Sequence, residues 1–470
     1  MATGRGETAV PVREGVYGER VAAVEPGGIE YIPGTERHGR PVQMFWTWMS
    51  PNLEFATIFV GVLGTAVFGG SFWVIAIAVA LGSALGSLTH GVLSSWGPKF
   101  GVPQMVQGRG AFGFRGNFVP AVLMSMTSGI GWFAVNSVSA TFALVTLVHV
   151  PFWIALTVVV LLQVIVAFFG HNLVHVWERY AFIPLVIVFA AATIVILLRA
   201  HLGQGASPKG VGDVAAFSLT AAAAFGYAVG WNPYASDYTR YLSPSAGRLR
   251  VGFWAGLGVF VSCLVLEVMG AALGTVPGTN FAGSPTDQLA NALPAALAVV
   301  TLLCITLGGI SANVLNIYSG AMAFLTLGIR IGARQRRAIV ALVFGAIGFV
   351  VALIGGQGTV AHSYENFLLL ISYWIAPWLA IMFTDYWLRH GDYGNGSIFY
   401  DRGHNLWSGV VAFVVATVVS IWLFANQTIY VGVVPTHVPT VGDLTFAVGF
   451  ILAAVLYALG RRVEPGSRGA

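Results

Sequence analysis

Apolar residues follow one another along this chain in long runs, and the polar residues fall mostly in short intervals between them. A helix needs roughly 20 apolar residues to cross the hydrocarbon core of a bilayer. Twelve such runs are predicted as spans, near 44–69, 72–96, 118–148, 152–170, 180–199, 214–234, 251–276, 295–327, 338–356, 363–388, 405–424 and 440–460.

Two of the twelve are interrupted. In FWTWMSPNLEFATIFVGVLG (45–64) the run is cut by Ser50, Pro51 and Asn52, and in GWNPYASDYTRYL (230–242) by Gly230, Asn232 and Pro233. Proline has no N–H and clashes with the preceding turn. Spans 1 and 6 open the two halves if the chain is a five-plus-five inverted repeat with two further helices. Interrupted spans in corresponding positions point to a transporter binding site, because unwound backbone offers free N–H and C=O groups at membrane depth. Such backbone persists only where it lines a protein-walled or wet cavity. The breaks are not symmetric, the first falling early in its run and the second late.

Composition excludes a water-soluble fold. Of 470 residues 57% are hydrophobic and 9% charged, against about 25% charged in an average soluble domain. The predicted fold class is an all-α polytopic membrane protein surrounded by lipid. Its expected parts are a tail 1–43, a first repeat 44–200 (helices 1–5), a second repeat 201–390 (helices 6–10), helices 11 and 12 in 391–460, and a tail 461–470. The N-terminal residues lack the basic-then-apolar pattern of a signal segment and are expected to form a cytoplasmic tail. Of the 23 Lys and Arg residues, 21 fall in the tails and in alternate connections, leaving Arg199 and Lys209 on the other side. That asymmetry places both termini in the cytoplasm and the protein in the cell membrane. The basic residues follow topology instead of clustering on one surface, so no nucleic-acid partner is expected. Cys263 and Cys304 lie in apolar runs, which allows no disulfide framework and no thiolate metal cluster.

Four motifs in order carry a resemblance: GVPQMVQGRGAFGFRGN (101–117), GWFAVNS (131–137), GWNPYASDYTRYL (230–242) and SANVLNIYSGA (311–321). Together they resemble the purine-cytosine permease branch of the nucleobase-cation symporter family, over about residues 44–325. The resemblance implies a leucine-transporter-like fold with twelve helices. It also implies import of a nucleobase or a related small heterocycle together with sodium or protons.

A flat neutral heterocycle has two aromatic faces and an edge of donors and acceptors, so a selective site needs an aromatic platform with amides or carboxyls in its plane. Trp132 and Asn136 are four apart, hence on one helix face, and the resemblance puts a stacking Trp and a polar partner there. In span 8 it implies a substrate-binding Asn, Asn316 in the NIY context, with Asn313 as the competitor. Near the second break Tyr227, then Trp231, is the candidate to stack on the other face of the ring. Asn52 stands at the first break. Glu54 is a carboxylate at membrane depth, a functional candidate by default, able to bind a ring N–H, hold the coupling proton, or both. Glu267 is read as a proton relay and Glu365 as interfacial.

Sodium-coupled relatives of this fold tend to hold the ion between carbonyls at the first break and two neighbouring span 8 hydroxyls. Here Ser311 is followed by Ala312, one hydroxyl short, and hard cations want several oxygen ligands. The expected coupling ion is the proton, with Ser311 and Glu54 as the coupling residues and sodium as the alternative. Pro51, Pro233, Asp237 and Arg240 are assigned to structure or gating. The Gly-rich connection with Gln104, Gln107 and Arg109 is read as a gate or interhelical lock, since it lacks the phosphate-loop pattern.

The histidines are too scattered for a zinc motif; His171 and His175 are expected at a helix end, with Glu178 as the one acidic neighbour. No metal site and no cofactor is expected. No nucleophile or nucleotide-binding motif is present, which argues against an enzyme or an ATP-driven pump. The expectation is therefore an importer of cytosine or a purine. The same scaffold leaves open allantoin, hydantoin, uracil or a vitamin-like heterocycle. A channel would instead need pore-lining rings of like residues.

Overall fold

The computed structural model describes residues 10–15, 28–168, 171–281, 284–328, 333–355 and 360–464. The outer parts of both predicted tails lie outside these residues. Among the described residues there are no strands, only isolated bridges such as Val12 with Tyr31, and the chain is helical throughout.

Among the described residues twelve helical segments stand where the twelve spans are predicted; nine are long and apolar enough to cross a membrane, ten with the bent pair that opens the bundle. Span 1 is the bent pair Gln43–Asn52 and Phe55–Val67. Spans 2 to 6 are Phe72–Phe100, Phe118–Val148, Phe152–Phe168, His171–Arg199 and Asp213–Thr239. Spans 7 to 12 are Arg248–Leu273, Ala295–Thr326, Ala333–Gly355, Val360–Leu388, Trp407–Phe424 and Thr445–Val463. Bulky apolar side chains such as Trp73, Leu88, Ile187, Ile194, Val418 and Ile451 are exposed on the outside of the bundle. In water that surface would be unstable; in lipid it costs nothing.

Span 5 departs from the predicted boundary. It begins at His171, not near residue 180, so His175 and Glu178 lie inside a helix instead of at its end. His, Asn, Glu and Arg depress the hydropathy of its first turns, yet Asn172 and Glu178 are buried against neighbouring elements.

The packing repeats. Span 1 lies on span 7, and span 6, its counterpart in the second half, lies on span 2, the counterpart of span 7. Spans 3, 4, 8 and 9 form a second group, with span 8 crossing spans 3 and 4 and span 9 doing the same. Span 5 bridges spans 1 and 8, span 10 packs on span 6, and spans 11 and 12 pack on each other and on span 10. The closest approach is between spans 1 and 7. A Cβ on Gly61 would stand 1.8 Å from the Glu267 carbonyl oxygen, and one on Gly270 1.7 Å from that of Ile58. Only glycine permits backbones to meet this closely.

The two interruptions differ in kind. Span 1 bends by 63° through an extended Glu54 (φ −154°, ψ 176°). Span 6 tightens into a 3-10 turn at Asn232–Tyr234 and stays right-handed, with Gly230 at φ −53° and Trp231 at φ −79°. The unwound backbone expected at both sites occurs at the first; at the second, Pro233 is accommodated at the start of a short turn, where its missing N–H breaks no bond.

Candidate substrate site at the interrupted helices

Backbone groups released by the bend in span 1 are taken up locally: the Leu53 and Glu54 N–H groups by the carbonyls of Ser50 and Asn52, and three others by side chains. Pro51 opens the 3-10 turn Ser50–Asn52, and the Asn52 side-chain amide donates to the Trp48 carbonyl at 2.7 Å. Thr57 donates to the Asn52 carbonyl at 2.5 Å. Glu54 caps the outer half-helix, its Oε2 accepting from the Ala56 N–H at 2.9 Å. Buried backbone groups are almost always paired; the sequence NLEFAT supplies these partners within six residues.

Glu54 is fully buried and has three donors. Besides Ala56, Ser139 of span 3 donates to Oε2 at 2.9 Å and Tyr227 of span 6 to Oε1 at 3.3 Å. The Tyr227 hydroxyl also lies 2.5 Å from Thr57 Oγ1, so with Thr57 donating to Asn52 the single tyrosine proton is shared between Thr57 and Glu54; the Tyr227 ring meets Trp132 edge-to-face, with centroids 5.3 Å apart and planes at 88°. Trp132 closes a six-residue π-turn, Thr127–Trp132, a motif frequent at functional sites. Its indole lies against Gly230, where a Cβ would be 3.0 Å away, and edge-on to Phe367 at 5.1 Å. Trp132 and Tyr227 therefore touch as an edge-to-face pair, the geometry the ring quadrupoles prefer, and not as two parallel plates with a slot between them.

Trp231 belongs to a different aromatic group. Its indole N–H donates to Asn52 Oδ1 at 2.7 Å, and its ring packs on Trp48 (5.9 Å) and Tyr234 (5.5 Å). His90 of span 2 closes on Trp48 from the other side, ring centroids 4.2 Å apart. Trp48 and His90 carry no polar interruption in sequence, and nothing but their type could have singled them out.

The amides form one chain. Tyr234 donates to Asn316 at 2.9 Å, Asn316 to Asn313 at 3.0 Å, and Asn136 to the same Asn313 oxygen at 3.2 Å. Asn313 donates to the Phe133 carbonyl and to Ser137, and Ser137 to Gln163 of span 4 at 2.9 Å. Asn313 is thus the hub that ties span 8 to span 3. The Asn136 Oδ1 is buried without a hydrogen-bond partner among the described residues.

A cavity of about 240 Å3 lies beside Glu54, walled by Phe55, Phe59, Phe142, Tyr364 and Phe367, with Ser139 and Ser363 among its polar elements. It is below the roughly 300–1,000 Å3 of pockets for drug-sized ligands, a scale that suits a solute of one or two rings. Phe142 is shared with a wider hollow bounded by Thr146, His149 and Asp287, on the side opposite the termini.

The side of the termini is sealed. Asp237 accepts from the Gln104 backbone N–H at 2.9 Å, and Arg240 reaches the Gly28 carbonyl at 2.8 Å and the Tyr318 hydroxyl at 3.3 Å. The N-terminal segment lies across this face: Ile32 N–H donates to Gly101, Arg37 to Pro98 at 2.6 Å, and Tyr400 to Ile29 at 2.6 Å. Arg109 donates to the carbonyls of Phe399 and Thr326; burial pushes its guanidinium down to about 10, so it remains charged at neutral pH.

Ser311 does not meet Glu54. Its hydroxyl donates to Glu178 of span 5 at 2.8 Å and accepts from the Trp177 indole at 3.0 Å. Ser50 donates to the same Glu178 oxygen. Glu178 is a buried carboxyl of this region that the sequence placed at a helix end. Its spacing, three residues from His175 and six from Asn172, is the signal that it shares their face. Glu267 accepts from Ser83 at 2.5 Å, and Glu365 faces His362 at 3.4 Å. Among the described residues no group of three or more His, Cys, Asp or Glu side chains could hold a metal ion.

A bundle of twelve spans with one sharply bent helix, a buried carboxyl at the bend and amide and aromatic side chains around it defines a secondary transporter, not an enzyme. Residues 31–449 match the family described as "Permease for cytosine/purines, uracil, thiamine, allantoin", and the chain belongs to that family, in its purine-cytosine permease branch. It is 30% identical to YxlA of Bacillus subtilis (strain 168), over 92% of this chain and 95% of that one. To purine-cytosine permease fcyB of Emericella nidulans it is also 30% identical, over 97% and 94%. Its fold is similar to that of Mhp1, a nucleobase-cation-symport-1 family transporter, in a closed conformation with bromovinylhydantoin bound. The TM-score is 0.74 at 19% identity, over 93% of this chain and 95% of that one.

Proposed function

We propose that this protein is a secondary active importer of a nucleobase, cytosine or a purine. It is driven by a proton gradient, works by alternating access, and sits in the plasma membrane with both termini cytoplasmic. The observation that carries this reading is Tyr227, bonded to Glu54 and edge-on to Trp132, which brings a carboxyl, an amide helix face and an aromatic platform to one level.

The chemistry matches such a ring. Glu54 accepts a ring N–H, and the free Asn136 Oδ1 accepts a second. Trp132 supplies a face once it rotates away from Tyr227, and Asn316, held by Tyr234 and Asn313, reads the remaining edge. Trp231 and Asn52 fix the floor beneath. Asp237, Arg240, Pro51 and Pro233 set the bends and the inner seal. The group of spans 1, 2, 6 and 7 and the group of spans 3, 4, 8 and 9, each drawn from both repeats 44–200 and 201–390, move against each other around this point. Glu54 has its oxygens engaged by three donors, which fits it to substrate binding; the coupling role is better placed elsewhere.

The test is competition uptake in whole cells. Labelled cytosine and hypoxanthine are offered with and without sodium, and with a protonophore. Saturable uptake of either base, abolished by the protonophore and indifferent to sodium, is expected. Uptake of neither base would remove the nucleobase reading, and strict sodium dependence would remove the proton.

A further inference from the structure

We propose that Glu178 holds the coupling proton, and that the polar seam between spans 5 and 1 is the proton's way out to the side of the termini. This rests on the reading of the protein as a proton-driven importer.

Glu178 is fully buried, and its two oxygens are used differently. Oε2 accepts from Ser50, at the bend of span 1, and from Ser311 of span 8. Oε1 has no hydrogen-bond partner among the described residues. One carboxyl on span 5 therefore joins the helix that bends to the helix that crosses the second group. Its free oxygen is the place for a proton: binding there makes the carboxyl neutral and leaves both serine hydrogen bonds intact. A carboxylate left ionised at membrane depth without a cation is costly.

Among the described residues no cationic side chain pairs with Glu178. His175, half-buried on the same helix, is engaged with Thr47 (Nδ1 to Oγ1, 3.1 Å). Tyr238 of span 6 is the titratable group facing from the other half, and Arg179, next in sequence, is exposed. Ser311 does not offer a sodium site in its place. Its proton is donated to Glu178 and one lone pair is taken by Trp177, and Ala312 follows it.

The exit is built into the helix periodicity. Asn172, His175 and Glu178 are spaced by three, on one face of span 5, and each meets the N-terminal segment or span 1 in register. Asn172 faces His38 at 3.2 Å, His175 faces Thr47, and Glu178 faces Ser50. The column runs about 9 Å from the tail to the carboxyl, and His175 can take the proton from Glu178 and pass it on. When the side of the termini opens, water reaches this seam, the O–H bond breaks, and the proton leaves on the cytoplasmic side.

Two other buried carboxyls compete and fit less well. Glu54 Oε2 accepts from Ala56 and Ser139, and its Oε1 faces the Tyr227 hydroxyl, so neither oxygen is without a partner. Glu267 also has an unpartnered oxygen, but its bond to Ser83 joins spans 7 and 2, which lie in the same helical group and need not separate during transport.

The test compares wild type, Glu178→Gln and Glu178→Asp in proteoliposomes. Counterflow of cytosine or hypoxanthine reports substrate exchange, and accumulation under an inward proton gradient reports coupling. Glu178→Gln is expected to keep counterflow and lose accumulation; accumulation equal to wild type would overturn the proposal. If Glu178→Gln does not fold, Glu178→Asp decides, with a shifted pH dependence of accumulation expected and an unchanged profile overturning it. A substrate-free readout separates this inference from the nucleobase reading. The infrared carbonyl band of protonated carboxyls, titrated in wild type, should be smaller in Glu178→Gln. Identical spectra would overturn the Glu178 assignment even if neither base is a substrate, whereas a wild type without counterflow of either base but with the spectral difference would overturn only the substrate.

Discussion

The Trp231 indole N–H donates to Asn52 Oδ1 at 2.7 Å, so one buried hydrogen bond ties the bend in span 1 to the turn in span 6. The same Asn52 side chain also satisfies the Trp48 carbonyl. Replacing it strands a donor and an acceptor in a site closed to water. Asn52→Ala is expected to cost about 1–3 kcal/mol, read as a lower melting temperature in detergent. Melting like wild type would mean that water or a rearranged neighbour fills both places.

Glu54→Gln keeps the cap of the outer half-helix, since a glutamine oxygen can still accept from Ala56, so the protein should fold. The carboxylate is lost, and with it the stronger, charge-assisted bond to a ring N–H. Affinity for the transported base should fall by about tenfold or more, measured by equilibrium binding. Unchanged affinity would take Glu54 out of the site.

Asn313 and Asn316 should separate structure from binding. Asn313 bonds to spans 3 and 8 through both ends of its amide, so Asn313→Ala should lower stability by about 2 kcal/mol or more and binding only secondarily. Asn316→Ala, which strands the Tyr234 hydroxyl but leaves Asn313 its bonds to span 3, should cost less stability than Asn313→Ala and more binding. The reverse pattern, scored on melting and binding together, would exchange their roles.

Gly61→Val tests the seam of spans 1 and 7. A branched side chain cannot occupy a position whose Cβ would already overlap the Glu267 carbonyl. Overpacking typically costs about 1–3 kcal/mol, and here the obstacle is backbone. The expected result is loss of monodisperse protein on size exclusion.

His404 gives a pH dependence outside the membrane. Its ring faces the Gly110 carbonyl at 3.0 Å, and burial holds its pKa below the ordinary value of 6.5. The unfolded chain therefore takes up a proton before the folded one does. Stability is unaffected at pH 8 and falls as pH drops through the ordinary histidine range toward the lowered folded value. His404→Gln should flatten the acid limb of a melting-temperature curve; an unchanged limb would assign it to other groups.

Hydropathy made the twelve spans legible because each helix in lipid must satisfy its own backbone and present apolar side chains outward. Pro51 and Pro233 were legible for the same reason, since only a few residue types break a helix. What each break became was not: Pro233 was absorbed into a right-handed turn, whereas the extended Glu54 depended on Asn52, Glu54 and Thr57 being placed to take up the released groups. Span 5 was misjudged at its start because a polar residue lowers hydropathy whether it faces water or a partner, and Asn172 and Glu178 face partners.

The amino-acid order by itself determined that this chain is a membrane protein built of apolar helices, where those helices are interrupted, and which polar and aromatic side chains stand among them. All of these follow from local composition and from the backbone's need for hydrogen bonds. Tertiary structure alone decided which of those side chains meet. Tyr227 joins Glu54 to Trp132, Asn313 gathers the amides, and Ser311 meets Glu178 instead of Glu54. Contacts between residues more than a hundred positions apart depend on how the helices cross, and crossing is set by where glycine lets two backbones touch.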